Sequence, residues 1–149
     1  MERLEPSVAA VLSALGGDAK PVTASDARSQ GWPGSYALLI ELESDLAVRF
    51  AGHEGRLDAG WYAYAGSARG PGGVGARIAR HLSGSKKPHW HVDALTLVAR
   101  RIDAIATRDL SECEIAVRLA ASNSFAHVLP GFGSSDCRTC VAHLLAWQS

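Results

Sequence analysis

Trp61-Tyr62-Ala63-Tyr64-Ala65-Gly66 alternates two kinds of side chain along the chain. In an extended backbone successive side chains point to opposite faces. Tyr62 and Tyr64 then share one face, and Trp61, Ala63 and Ala65 share the other. This period of two predicts a strand with one phenolic face and one face mostly small enough for close packing.

The same pattern extends in both directions. Upstream, Tyr36 to Glu41 reads as a strand, Ser44-Asp45 as a turn, Leu46 to Ala51 as a second strand and Gly52 to Gly60 as a polar connection. Downstream, Ser67 to Gly75 is a glycine-rich loop. Val74 to Leu82 then takes helical spacing, with Val74, Ile78 and Leu82 on one stripe and Arg77 and His81 on the stripe beside it. The apolar run that follows Asp93, through Val98, fits helix or strand, and Arg101 to Thr107 alternates as a further strand. Ser111 can cap a helix carrying Glu112, Ile115, Ala116, Leu119 and Ala120, and Asp136 can cap a last short helix through Trp147. Residues 1–30 read as an N-terminal extension with a short helix from Ser7 to Leu15 ended by Gly16-Gly17, ahead of a domain over residues 31–149. Strands first, with helices interspersed and following, predict a compact α+β domain.

A chain of 149 residues that is 47% hydrophobic and 20% charged has the composition of a folded globular protein, which excludes fibrous and low-complexity classes. Fifteen basic residues balance fifteen acidic ones, but residues 61–101 hold seven bases against one acid. The middle of the chain is therefore basic inside a neutral whole. Three cysteines make no even disulfide framework and favour a reducing compartment. With no signal peptide or membrane span in the sequence, the expectation is a cytoplasmic protein without a membrane partner.

Gly70-Pro71-Gly72-Gly73-Val74-Gly75 satisfies G-x-G-x-x-G between a strand and a helix. A dinucleotide cradle would want this loop after a buried parallel first strand and small or apolar residues in the helix, where this chain has Arg77 and Arg80. A loop admitting a nucleic-acid phosphate ahead of a basic helix is the preferred reading.

Gly34-Ser35-Tyr36, Tyr64-Ala65-Gly66, Arg77 and His81 together resemble the GIY-YIG endonuclease superfamily. The strings Gly60-Trp-Tyr-Ala-Tyr-Ala-Gly-Ser-Ala68, Arg77-Ile-Ala-Arg-His81, His89-Trp-His-Val-Asp93, Glu112-Cys-Glu-Ile-Ala116 and Pro130-Gly-Phe-Gly-Ser-Ser-Asp-Cys137 resemble its small Uri-type prokaryotic branch. The resemblance implies a small, mainly antiparallel sheet flanked by helices, and metal-dependent hydrolysis of a nucleic-acid phosphodiester, DNA before RNA. It implies Tyr36 or Tyr64 as base, Arg77 as phosphate clamp, His81 as helper, and a glutamate holding Mg2+ or Mn2+. Gly66, Ser67, Lys86, Lys87, His89 and His91 would contact substrate. Of the two glutamates, Glu112 has Ile115 and Ala116 at +3 and +4 and lies on the inward stripe, whereas Glu114 points outward; Glu112 is the choice. Two departures stand out: Ser35 and Ala65 replace the isoleucines of the pattern, and 27 residues separate Tyr36 from Tyr64.

The chemistry fits these residue types. Phosphodiester hydrolysis needs a deprotonated water and stabilisation of charge on the phosphate oxygens. Arginine suits the second task through its planar fork. A non-cleaving nucleic-acid-binding module, with Trp61 or Trp90 stacking on bases, is the rival reading. A homodimer or a partner protein would add affinity in either case.

His89, His91 and Asp93 would share a face in a strand and separate in a helix, so a metal site, substrate contacts and simple packing all remain open. Cys137-x2-Cys140-x2-His143 has the spacing of half a zinc site, with Cys113, His127 or Asp136 as the fourth-ligand candidates. A redox thiol at Cys137 and plain burial of the cysteines are the other readings.

Overall fold

The computed structural model describes residues 6–50, 52–84, 86–87, 91–130, 132 and 142–148. The fold is α+β: one six-stranded antiparallel sheet with helices on both faces. Its strands are β1 (Lys20–Val22), β2 (Gly34–Leu42), β5 (Gly60–Ala68), β6 (Arg101–Thr107), β7 (Phe125–His127) and β8 (Leu144–Trp147), in the order β1-β6-β2-β5-β8-β7. All five pairings are antiparallel. β3 (Leu46–Phe50) and β4 (His53–Leu57) form a separate hairpin. Among the described residues no helix is long and apolar enough to cross a membrane.

The alternation seen in the sequence divides the core in two. One face of the sheet buries Tyr36, Leu38, Ile40, Tyr62 and Tyr64 against α2 (Gly73–Leu82), α3 (Asp93–Thr96) and the β3–β4 hairpin. The other buries Ala37, Leu39, Trp61, Ala63 and Ala65 against α1 (Val8–Leu15) and α4 (Glu112–Ala121). Alanines on the second face let α4 pack on β5, as close packing requires. β2 is buried along its whole length because helices or the hairpin cover both of its sides.

Several expectations need correction. Leu144–Trp147 is a strand, not the end of a helix: Leu144 and Leu145 lie in opposite cores, and the segment is hydrogen-bonded between β5 and β7. Asp136, the expected cap, lies outside the described residues. The supposed connection from Gly52 to Gly60 contains β4, and the residues between the two tyrosines comprise the rest of β2, the β3–β4 hairpin and the start of β5. The segment before residue 30 is part of the fold: β1 extends the sheet and a 3₁₀ turn at Ala27–Ser29 packs under α2.

Candidate active site

Four strand ends meet at one end of the sheet. Register pairs Gly34 with Ala68, Ser35 with Thr107, and Tyr64 with Leu144, so β2 and β8 begin where β5 and β6 finish. Tyr36 stands opposite Gly66, and a Cβ at Gly66 would collide with the Tyr36 ring. That close approach is the physical reason for glycine at position 66.

α2 runs beside this end with its first-turn amides already occupied. Gly73 N donates to Gly70 O (3.1 Å), Val74 N to Trp32 O (2.9 Å), Gly75 N to Gln30 O (2.7 Å) and Ala76 N to Gly72 O (3.2 Å). A Cβ at Gly75 would strike the Ala27 carbonyl. The glycines thus serve close packing of the helix on residues 27–32. The occupied amides of the first turn remove the dinucleotide cradle.

One turn further, α2 delivers its chemistry. His81, 1% exposed, has Nε2 2.8 Å from the Tyr36 hydroxyl, with ring centroids 5.3 Å apart. Burial lowers the His81 pKa to about 3, helped by the charges of Lys86, Arg80 and Arg77 and opposed by Asp93, so the imidazole is neutral at physiological pH. Its Nδ1 lies 3.9 Å from Asp93 Oδ1, which favours the proton on Nδ1 and leaves Nε2 to accept the phenol's hydrogen. Burial raises the Tyr36 pKa well above the usual phenol range; Tyr64 and Glu112 raise it further, and Arg77 opposes through charge and a hydrogen bond. Burial likewise raises Tyr64 to about 12, with Glu112 adding to the shift and Arg77 opposing it. Arg77 is half-buried and anchored by Nη1 donating to the Ser67 carbonyl at 3.2 Å. Tyr36, Tyr64, Arg77, His81 and Glu112 therefore occupy one electrostatic neighbourhood.

Local structure separates the two glutamates. Glu114 is committed to the capping box of α4: its carboxylate accepts from Ser111 N (3.1 Å) while Ser111 Oγ accepts from Glu114 N (3.1 Å). The Glu112 side chain is 33% exposed, with Oε2 3.7 Å from His143 Nδ1. A single partly open carboxylate fits a magnesium ion, which takes few protein ligands and keeps water and substrate oxygens. Among the described residues no group of three or more His, Cys, Asp or Glu side chains forms a closed cage.

Other expected residues have different surroundings. Lys86 Nζ donates to the carbonyls of His81 (2.7 Å) and Arg80 (3.1 Å), closing the C-terminus of α2 rather than facing a substrate. Lys87 is exposed. His91 packs on Phe50 (5.8 Å between centroids) and Phe132 (5.4 Å). Asp93, fully buried, takes a two-pronged salt bridge from Arg80, both contacts at 2.9 Å. His91 is thus engaged by aromatic rings and Asp93 by a guanidinium. His89, Trp90, Cys137 and Cys140 lie outside the described residues. Trp61 is 4% exposed, which removes it as a stacking platform.

Sequence reading missed two features. The Arg80–Asp93 pair joins two elements and carries no local signal. Trp32, beside Gly34, has the Arg108 guanidinium 4.5 Å and the Lys20 ammonium 5.7 Å from its ring centroid. Aromatic residues flanked by cations are a usual feature of nucleic-acid surfaces, but three distant segments supply this one.

The chain belongs to the family described as "Domain of unknown function DUF123", whose family model matches residues 35–149, from β2 onward. No curated protein and no solved structure matches it.

Proposed function

We propose that this DUF123 member is a metal-dependent endonuclease that hydrolyses nucleic-acid phosphodiesters, DNA before RNA, in the manner of the GIY-YIG superfamily it resembles. The observation carrying this reading is the meeting of a phenol–imidazole pair, a second phenol, an anchored guanidinium and a partly open carboxylate at one sheet end.

Arg77 clamps the phosphate. Its anchor on Ser67 fixes the fork before substrate arrives, so little order is lost on binding. Tyr36 hands its proton to His81 as it takes one from the attacking water. The phenol alone is a poor base because burial raises its pKa, and the hydrogen bond to a neutral Nε2 gives that proton a destination. An incoming phosphodiester brings negative charge into the pocket, which favours the imidazolium and raises the proton affinity of His81. Asp93, locked by Arg80, keeps the imidazole oriented. Glu112 would hold the divalent ion, which when bound would neutralise phosphate charge and lower the pKa of water.

The test is a panel of labelled linear, single-stranded, flapped and branched substrates, in DNA and RNA, with Mg2+, Mn2+ or chelator. The expected result is nicking of at least one substrate, dependent on metal. Salt-sensitive binding with no product under any metal would overturn the reading in favour of a binding module.

A further inference from the structure

The two ends of the sheet treat their cations differently. Toward the hairpin, Arg49 pairs with Glu54 (2.6 Å) and Arg56 with Asp45 (3.1 Å). Arg101 lies 5.8 Å from the Trp61 ring centroid and also pairs with Asp103 (3.4 Å). At the end that carries Tyr36, Lys20 and Arg108 are exposed and form no ion pair among the described residues. Each lies instead over the Trp32 ring. A ring face attracts a cation without neutralising it, so both charges stay available to an anion. The neighbouring carboxylates are already engaged: Asp18 accepts from Thr107 Oγ1, Arg108 N and Asp109 N, and Asp109 accepts from Asp18 N (2.9 Å).

The local geometry is fixed by hydrogen bonds and packing. Trp32 Nε1 donates to Gln30 Oε1 (3.0 Å), its carbonyl accepts from Val74 N (2.9 Å), and its ring lies so near Gly34 that a Cβ there would collide with it. Arg108 N donates to both Asp18 carboxylate oxygens at 3.0 Å. Register then relates this cluster to the proposed active site. Lys20 stands opposite Ala106, Ala106 opposite Tyr36, and Tyr36 opposite Gly66. Residues directly opposed across antiparallel strands share a face, so Lys20 belongs to the Tyr36 face. In the adjoining row Ser67, whose carbonyl anchors Arg77, stands opposite Ser35, and Ser35 opposite Thr107, the residue before Arg108.

We propose that Arg108 and Lys20, supported by the Trp32 ring, grip a backbone phosphate of a bound nucleic-acid strand, a second contact beside the one Arg77 makes. β5 and β6 are two strand spacings apart, about 10 Å, which a stacked strand covers in about three nucleotides. Arg108 brings a planar fork to the phosphate oxygens and Lys20 a compact charge. Both contacts fall on the backbone, so the grip positions the strand without reading its sequence. Its place relative to the cut rests on the nuclease reading, whereas the grip itself rests on the unpaired cations and their support.

The experiment measures binding of a labelled DNA oligonucleotide, single-stranded and duplex, to the full chain in chelator, between about 50 and 200 mM salt. Wild type should bind with an affinity that falls as salt rises. Arg108→Ala and Lys20→Ala should each weaken binding at least about threefold and lower the slope of log affinity against log salt by about one. Arg49→Ala removes the same charge near the hairpin and should change neither. Trp32→Leu removes no charge and should still weaken binding, because the two cations lose their support. A wild type that binds neither DNA would overturn the proposal, and so would Arg108→Ala and Lys20→Ala chains with wild-type affinity and slope. Equal losses in Arg49→Ala would overturn it too, since net charge alone would then explain them. A folded Trp32→Leu chain that binds as wild type would overturn the role of the ring. If Trp32→Leu fails to fold, the variants at the exposed Lys20 and Arg108 still decide. A chain that binds through these residues but never cuts with metal keeps the grip and loses the nuclease reading. A chain that cuts, and whose Arg108→Ala and Lys20→Ala variants bind unchanged, loses the grip alone.

Discussion

Tyr62 and Tyr64 lie two residues apart on the same face of β5, and burial pushes both phenols up to about 12. Their surroundings differ. Tyr62 faces the hairpin end of the sheet, where its hydroxyl donates to the Asp58 carbonyl at 2.6 Å and Asp58 and Asp45 add to its shift. Asp45 in turn is held by Ala59 N and Arg56, which lower its own pKa. Tyr64 faces the other end, where Glu112, Arg77 and Asp93 act on it and Tyr36 bonds His81. A shifted phenol therefore says little by itself. The partner decides: a backbone carbonyl makes Tyr62 a fastening, and an imidazole beside a guanidinium gives Tyr36 somewhere to send a proton.

The sharpest way to break this contrast is to remove one hydroxyl from each end. Tyr36→Phe should lower single-turnover cleavage by about 10²–10⁴, the range for a lost acid–base group. Tyr62→Phe should leave cleavage unchanged and cost about 1 kcal/mol in denaturant melts, the worth of one hydrogen bond. Equal effects on cleavage would erase the distinction between the two ends.

Gly66→Ala sharpens it by geometry. The new methyl meets the Tyr36 ring, and the overpacking should cost about 1–3 kcal/mol of stability while displacing the phenol from His81. Stability and cleavage should fall together, and a variant as active and stable as wild type would contradict the packing described.

A smaller effect is expected from protons. His81 is held near a pKa of about 3 in the folded chain, against about 6.5 for a free histidine. The unfolded state therefore binds a proton that the folded state does not. This stabilising contribution is full above pH 6.5 and declines as pH falls toward 3. His81→Gln should flatten the stability–pH slope between pH 5.5 and 4 by about one proton. An unaltered slope would mean the imidazole is not held neutral.

How much of this was legible in the sequence depended on whether a segment had one dry face or two. β5 and α2 declared themselves through alternation and a 3.6-residue stripe, as did α4 with its Ser111 cap. β8 did not: Leu144 and Leu145 serve opposite cores, and an unbroken apolar pair has no period to read. β4 exposes most of its residues, and β1 is a three-residue edge strand bearing Pro21, tolerated only because that edge is unpaired. At the site, Tyr36, Tyr64, Arg77 and His81 are picked out through their resemblance to the GIY-YIG pattern, spacing alone giving only the shared helix stripe of Arg77 and His81. The choice of Glu112 over Glu114 rested on helix phase, and the capping box supplies a stronger local reason by engaging Glu114. The Arg80–Asp93 lock and the meeting of Cys113 with His143 depend on long-range folding, which no window of sequence contains.

The claim beneath all of this is that one end of the sheet forms a single phosphate-binding pocket centred on Arg77. The direct measurement is magnesium-dependent nicking by wild type and Arg77→Ala prepared side by side, with thermal melts of both. The account predicts a loss of about 10²–10³ in rate, the usual cost of removing one transition-state donor, with little change in melting. Equal nicking by the two proteins would contradict it.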